Sequence, residues 1–112
     1  MARFNYVEMP VHDIGASKAF YEAAFGWNLT GFGKSYAATV TGDTDIGLQA
    51  DSAEATRAPL PVIDVPDLEA ALAAVEAAGG QIVRPIFDFP GGRRFHFLDP
   101  SGNEVAAVTA NR

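Results

Sequence analysis

The chain repeats itself. Shifting the 112-residue sequence by 54 positions lays residues 9–26 on residues 63–80, with eight identities in those eighteen positions. Val11 meets Val65, Asp13 meets Asp67, Glu22-Ala23-Ala24 meet Glu76-Ala77-Ala78, and Gly26 meets Gly80. Met9/Ile63 and Ile14/Leu68 are conservative pairs. A chain of this length has room for one hydrophobic core of ordinary size. Two copies are too few for a solenoid, so they read as the duplicated halves of a single domain over residues 1–112.

Both copies have the same local grammar. Phe4 to Val11 is rich in β-formers, and Asp13 then offers a helix N-cap. Apolar residues from Ile14 to Phe25 recur at helical spacing, and Gly26 supplies a stop. In the second copy Leu60 to Val65 is the strand, Asp67 the cap, Leu68 to Ala78 the helix, and Gly79-Gly80 the stop. Pro66 is tolerated just before the cap, where no helical N–H is needed. Three short strands are predicted after each helix. They are Trp27 to Thr30, Ser35 to Val40 and Asp45 to Ala50 in the first half, and Gln81 to Arg84, Arg93 to Leu98 and Glu104 to Val108 in the second. Pro90-Gly91-Gly92 and Asp99-Pro100-Ser101-Gly102-Asn103 are strong turn clusters. Residues 51–58 are polar and precede Pro59, so they read as a linker. The expected order is βαβββ–linker–βαβββ, an α+β fold with module 1 over about 1–50 and module 2 over about 59–112.

Composition removes several functions. Fourteen acidic against eight basic residues leave a net charge of −6, and the only adjacent basic pair is Arg93-Arg94. Nucleic acid and anionic membrane are therefore poor partners, because phosphate recognition runs on basic patches. The same acidic balance favours a cationic ligand. Without any cysteine there is no disulfide, thiolate catalysis or cysteine-ligated metal. The start of the chain lacks the apolar run of a signal peptide, and Leu68 to Ala78 is too short to span a bilayer. The expectation is a cytoplasmic protein. Gly31-Phe32-Gly33-Lys34-Ser35 lacks the spacing of a phosphate loop and feeds a strand. No serine lies in a nucleophile-elbow context.

Val7-Glu8-Met9-Pro10-Val11-His12-Asp13, running on to Ala19-Phe20-Tyr21 and Phe25-Gly26-Trp27, is similar to the opening strand and helix of the vicinal oxygen chelate superfamily. This is the family of glyoxalases, bleomycin-resistance proteins and extradiol dioxygenases. Val65-Pro66-Asp67, Ala78-Gly79-Gly80 and the Asp99-Pro100-Ser101-Gly102-Asn103 turn resemble its second module. The resemblance implies two βαβββ modules forming a curved mixed sheet around a cavity, with helices outside, a small-molecule ligand and a homodimer. In metal-dependent members, inward strand positions carry His, Gln or Glu ligands. Here those four positions fall on Tyr6, Gly47, Leu60 and Ala106. Gly47, Leu60 and Ala106 offer no side-chain donor, so a divalent metal or other cofactor is not expected.

Strand parity, combined with the resemblance, places Phe4, Tyr6, Glu8, Leu60, Val62, Asp64, Arg94, His96, Leu98, Glu104, Ala106 and Val108 on the inward face. Val7, Met9, Val11, Ile63, Val65, Phe95 and Phe97 then face the helices. His96 titrates near neutrality and is the first candidate for ligand binding or acid–base work. A structural histidine bonded to backbone or to a neighbouring carboxylate is the plainer account. Glu8 and Tyr6 are further acid–base candidates, although Glu8 in a buried salt bridge explains it as well. His12, beside the cap, reads as a surface residue. Trp27 and Tyr36 read as core or cavity wall. Phe32, Phe87 and Phe89 lie near glycine turns, where aromatic residues mark either a ligand platform or the end of a small core. The candidate ligand-binding set is Tyr6, Glu8, Trp27, Phe32, Tyr36, Leu60, Arg94, His96 and Ala106.

Two functions follow from these residues and the resemblance. One is a metal-independent protein that binds a small organic molecule. The other is a lyase, isomerase or dioxygenase using a non-standard metal or acid–base site built from Tyr6, Glu8, Asp64 and His96. A dimeric interaction module without a specific ligand is the third and plainest reading.

Overall fold

The computed structural model describes residues 1–111. Eight strands and two helices follow in the order β1 (Arg3–Pro10), α1 (Ile14–Phe25), β2 (Thr30–Gly31), β3 (Tyr36–Ala38), β4 (Asp45–Gln49), β5 (Leu60–Asp64), α2 (Leu68–Ala77), β6 (Gln81–Phe89), β7 (Gly92–Leu98) and β8 (Glu104–Ala110). This is the α+β order of two βαβββ modules, each with a mixed sheet. The chain forms two compact units, Tyr6–Leu60 and a second made of Met1–Asn5 and residues 61–111. Among the described residues no helix is long and apolar enough to cross a membrane.

Both helices begin as the duplication predicts. Asp13 and Asp67 adopt extended backbone, and their carboxylates accept from the amides of Ala16 and Ala70 at 3.0 Å. Each satisfies one of the amides a helix start leaves without an intrahelical partner. Gly26 ends α1 at φ 71°, a left-handed conformation that a β-carbon makes costly.

In the first module the strands run β2-β3-β4-β1, with β1 parallel to β4 and the other pairs antiparallel. Leu29, Ala37 and Leu48 form its core, and Met9, Val11, Ile14, Tyr21 and Ile46 pack around them. The second module runs β5-β8-β7-β6, with β5 parallel to β8. Val65, Leu68, Phe95 and Ala107 are its core, flanked by Ile63, Leu72, Val75 and Phe97. Of the residues expected to face the helices, all but Val7 pack in these two cores. Each fully buried leucine or phenylalanine there contributes about 1.5–3 kcal/mol.

Two strands differ from expectation. Residues Trp27 to Leu29 do not pair, and β2 keeps only Thr30–Gly31. The segment is held on α1 instead: the Leu29 amide donates to Glu22 Oε2 at 3.0 Å, and the Trp27 ring stacks on Tyr21 at 5.5 Å. Strand β6, expected to stop at Arg84, runs through Pro85 to Phe89. It lies at an edge, where a missing N–H is tolerated. Its pairing with β7 shifts register between Ile82 and Arg84 and again between Arg84 and Phe87.

Candidate functional site

In the first module a polar cluster forms on the sheet face opposite α1. Glu8 on β1 is only 3 % exposed, and its strand partner on β4 is Gly47. Tyr36, from β3, donates its hydroxyl hydrogen to Glu8 Oε1 at 3.1 Å. The Tyr6 hydroxyl lies 2.5 Å from the Tyr36 hydroxyl. With the Tyr36 proton given to the carboxylate, the order is Tyr6 to Tyr36 to Glu8. Burial, followed by the nearby Tyr6 and Glu8, raises the Tyr36 pKa far above its ordinary value. Tyr36 is therefore a fixed donor.

Gly47 makes that cluster possible. A β-carbon built on it would come within 2.1 Å of the hydroxyl oxygens of both Tyr6 and Tyr36. The absent side chain is the space the two phenols use.

A second polar cluster lies on the second module, on the face turned from α2. The bulged register of β6 sets Arg84 opposite His96 and Phe87 opposite Arg94. On the other side of β7, His96 faces Ala106. His96 is 2 % exposed, and its Nδ1 lies 2.7 Å from Glu104 Oε2. Burial is the largest influence on the ring and holds its pKa below the usual 6.5; the Glu104 hydrogen bond pulls the other way, and Arg94 and Arg84 add to the lowering. The neutral ring therefore carries its proton on Nδ1, where Glu104 accepts it, and leaves a lone pair on Nε2. Among the described residues that buried Nε2 has no hydrogen-bond partner. The Arg84 guanidinium sits 3.6 Å above the Phe87 ring, and Arg94 lies 5.2 Å from both Phe87 and Phe89.

The structure thus brings Tyr6, Glu8 and Tyr36 together in one module, and Arg94 and His96 together in the other. Leu60 and Ala106 are buried aliphatic positions. Trp27 joins Tyr21 and Phe25 beside α1, and the hollow next to it is lined by Gly26, Asn28, Thr39, Val40 and Thr41, without a titratable group. Phe32 is 53 % exposed at the β2–β3 turn. His12 is exposed, as expected. Phe4, expected inward, is instead exposed near the beginning of β1. Arg84 was not singled out from the sequence, because simple alternation from Ile82 puts it on the helix side. Pro85 inside the strand was the available signal for a bulge.

A divalent metal does not fit the positions where the family places its ligands. Leu60 and Ala106 are hydrocarbon, and the volume beside Gly47 is taken by two neutral phenols. Among the described residues, no three histidine, aspartate or glutamate side chains gather as a metal-holding group.

Residues 3–107 match the family model described as Glyoxalase/Bleomycin resistance protein/Dioxygenase superfamily. The chain belongs to this superfamily. Among curated relatives of the superfamily chain, CFP32 of Mycobacterium bovis, a candidate glyoxylase by its name, is 32 % identical over 119 residues. The alignment covers 96 % of this chain and 46 % of CFP32, so the chain spans about half the length of the curated relatives it matches. A methylmalonyl-CoA epimerase from Mycobacterium tuberculosis shares the fold at TM-score 0.76 and 16 % identity, covering 97 % of this chain and 88 % of that one. The hypothetical protein BH1468 from Bacillus halodurans shares it at TM-score 0.79 and 16 % identity, covering 99 % and 96 %. At such identities these two likenesses concern the fold alone.

Proposed function

We propose that the chain is a metal-independent member of its superfamily that binds a small organic molecule on the sheet face turned from its helices. The observation that carries this reading is the hydroxyl pair of Tyr6 and Tyr36 seated over Gly47. Neutral phenols and a buried carboxylate supply hydrogen bonds at a position where the family's metal-dependent members hold a cation, and small-molecule sites rely on a few such placed polar groups. The two modules work as one domain and, as the resemblance implies, as a homodimer. Sedimentation at micromolar concentration reads out that last point, and a monomer there removes it.

The test is elemental analysis of the purified protein, with calorimetric titration by Zn²⁺, Ni²⁺ and Mn²⁺. The expected result is no stoichiometric metal and no saturable heat. One metal per chain would sink the reading.

The His96–Glu104 pair favours a second reading, an isomerase or lyase that moves a proton without metal. An imidazole held by a carboxylate on Nδ1 is oriented to take a proton on Nε2. Retained turnover after His96→Gln would exclude it.

A further inference from the structure

Strands β2 and β3 part from each other at the end of α1, and we propose that the hollow they leave binds an uncharged pyranose sugar. It shares no residue with the cluster of Tyr6, Glu8 and Tyr36, so it stands apart from the small-molecule reading above.

The register makes the hollow. β2 and β3 pair at Thr30/Ala38 and Gly31/Ala37. Continued outward, the same ladder would join Leu29 to Thr39, Asn28 to Val40 and Trp27 to Thr41. Both segments are tied elsewhere instead. The Leu29 amide donates to Glu22, and the Trp27 ring stacks on Tyr21. The Thr39 amide donates to the Ile46 carbonyl. Asp45 accepts from the hydroxyls of Thr39 and Thr41 and from the amides of Thr41 and Gly42. Between the two segments opens a hollow of about 350 Å³, lined by Gly26, Trp27, Asn28, Thr39, Val40 and Thr41. That volume lies in the range of small-molecule sites. Both walls are held before anything enters, which reduces the ordering needed on binding.

The rings beside it are surplus to the fold. Phe25 is 61 % exposed and Trp27 40 %, and the two stack at 5.3 Å. In the second copy of the repeat, 54 residues on, Tyr21, Phe25, Trp27 and Asn28 become Val75, Gly79, Gln81 and Ile82. That copy builds its helix without any of these rings. Exposed aromatic surface that folding does not require marks a contact.

The lining sets the class of ligand. None of its six residues is titratable, so an uncharged molecule fits. The Asn28 side-chain amide makes no hydrogen bond among the described residues. It both donates and accepts, as a sugar hydroxyl does. The negative face of the indole suits the polarised C–H groups that cover one side of a pyranose ring. Five of the six lining residues are exposed, so an occupant keeps its outer side in water. A sugar turns hydroxyls outward there, whereas a flat aromatic compound would leave an apolar face in water.

Trp27 is the only tryptophan, so its emission reports this hollow alone. The full chain is titrated with the methyl β-pyranosides of glucose, galactose and mannose. Sorbitol, which has the hydroxyls without the ring, and benzamide, which has the flat face without the hydroxyls, are the controls. At least one pyranoside is expected to shift the emission saturably, with half-saturation in the millimolar range, and neither control is. Asn28→Ala is expected to raise the half-saturation about fivefold, the effect of one neutral hydrogen bond. An unchanged Tm shows that this surface variant is folded, and the comparison of probes on the wild type stands without it. No saturable response to any of the three pyranosides, or one that sorbitol reproduces, overturns the inference. So does an unchanged half-saturation in folded Asn28→Ala, or saturable binding of benzamide in place of the sugars.

Discussion

The hydroxyl of Tyr36 occupies the place a side chain on Gly47 would take: a β-carbon there would lie 2.1 Å from the phenolic oxygen and 2.7 Å from Cζ of the same ring. Gly47→Ala is therefore expected to destabilise the protein by about 1–3 kcal/mol, the usual cost of overpacking. In the Tyr6→Phe/Tyr36→Phe background both oxygens are gone, and the same substitution is expected to cost less than about half as much. Urea unfolding of the four proteins measures the coupling. Equal penalties in both backgrounds would show that the hydroxyls are not what the glycine accommodates.

Ionisation of Tyr36 is expected to be invisible in the native protein. Burial first, and then Tyr6 and Glu8, raise its pKa well above the ordinary 10.0. Absorbance at alkaline pH is expected to report the phenolate only as the protein unfolds, and Tyr36→Phe leaves the native part of the curve unchanged.

Stability is expected to fall as the solution is acidified below the ordinary histidine pKa of 6.5. The folded ring binds its proton less readily than the unfolded one. Its contribution is full above 6.5 and is lost as pH falls through the lower folded pKa. His96→Gln is expected to flatten this part of the stability profile. An unchanged slope between pH 7 and 5 would assign the dependence to other groups.

Asp99 organises the turn before β8. Its carboxylate accepts from the amides of Ser101 and Asn103 and from Asn103 Nδ2, all at 2.9 Å. Bonds from Asn103 are the main cause of a pKa below 3.8. Asp99→Ala is expected to lower Tm at pH 7. The gap to wild type closes as pH falls through the folded pKa, because protonation removes the same bonds.

The two N-caps give a matched pair of measurements. Asp13→Ala and Asp67→Ala are each expected to cost about 1 kcal/mol. Asp→Asn at either position is expected to retain most of it.

The modular fold was legible because its signals are local. Asp13, Gly26, Asp67 and the turn at residues 99–103 each act within a few residues. The site was half legible. Parity correctly set Glu8, Tyr6 and His96 on faces turned from the helices, since alternation is a backbone property. The bond from Tyr36 to Glu8 joins residues 28 positions apart, and Arg84 reaches the His96 face only through two register shifts. Neither a long-range pairing nor a bulge leaves a periodic trace. Trp27 shows the same limit: its ring is claimed by Tyr21, a contact that no strand pattern encodes.

The two helix starts are near copies, with backbone angles of −129°/105° at Asp13 and −134°/104° at Asp67 and the same amide three residues on. Instructions for folding are thus written twice, while the chemistry is written once in each half and differently. Phenols and a carboxylate stand on the strands of one module, and an imidazole with two guanidiniums on those of the other. An engineer can therefore exchange the polar groups of one half without touching the signals that start its helix, and the other half serves as an internal control.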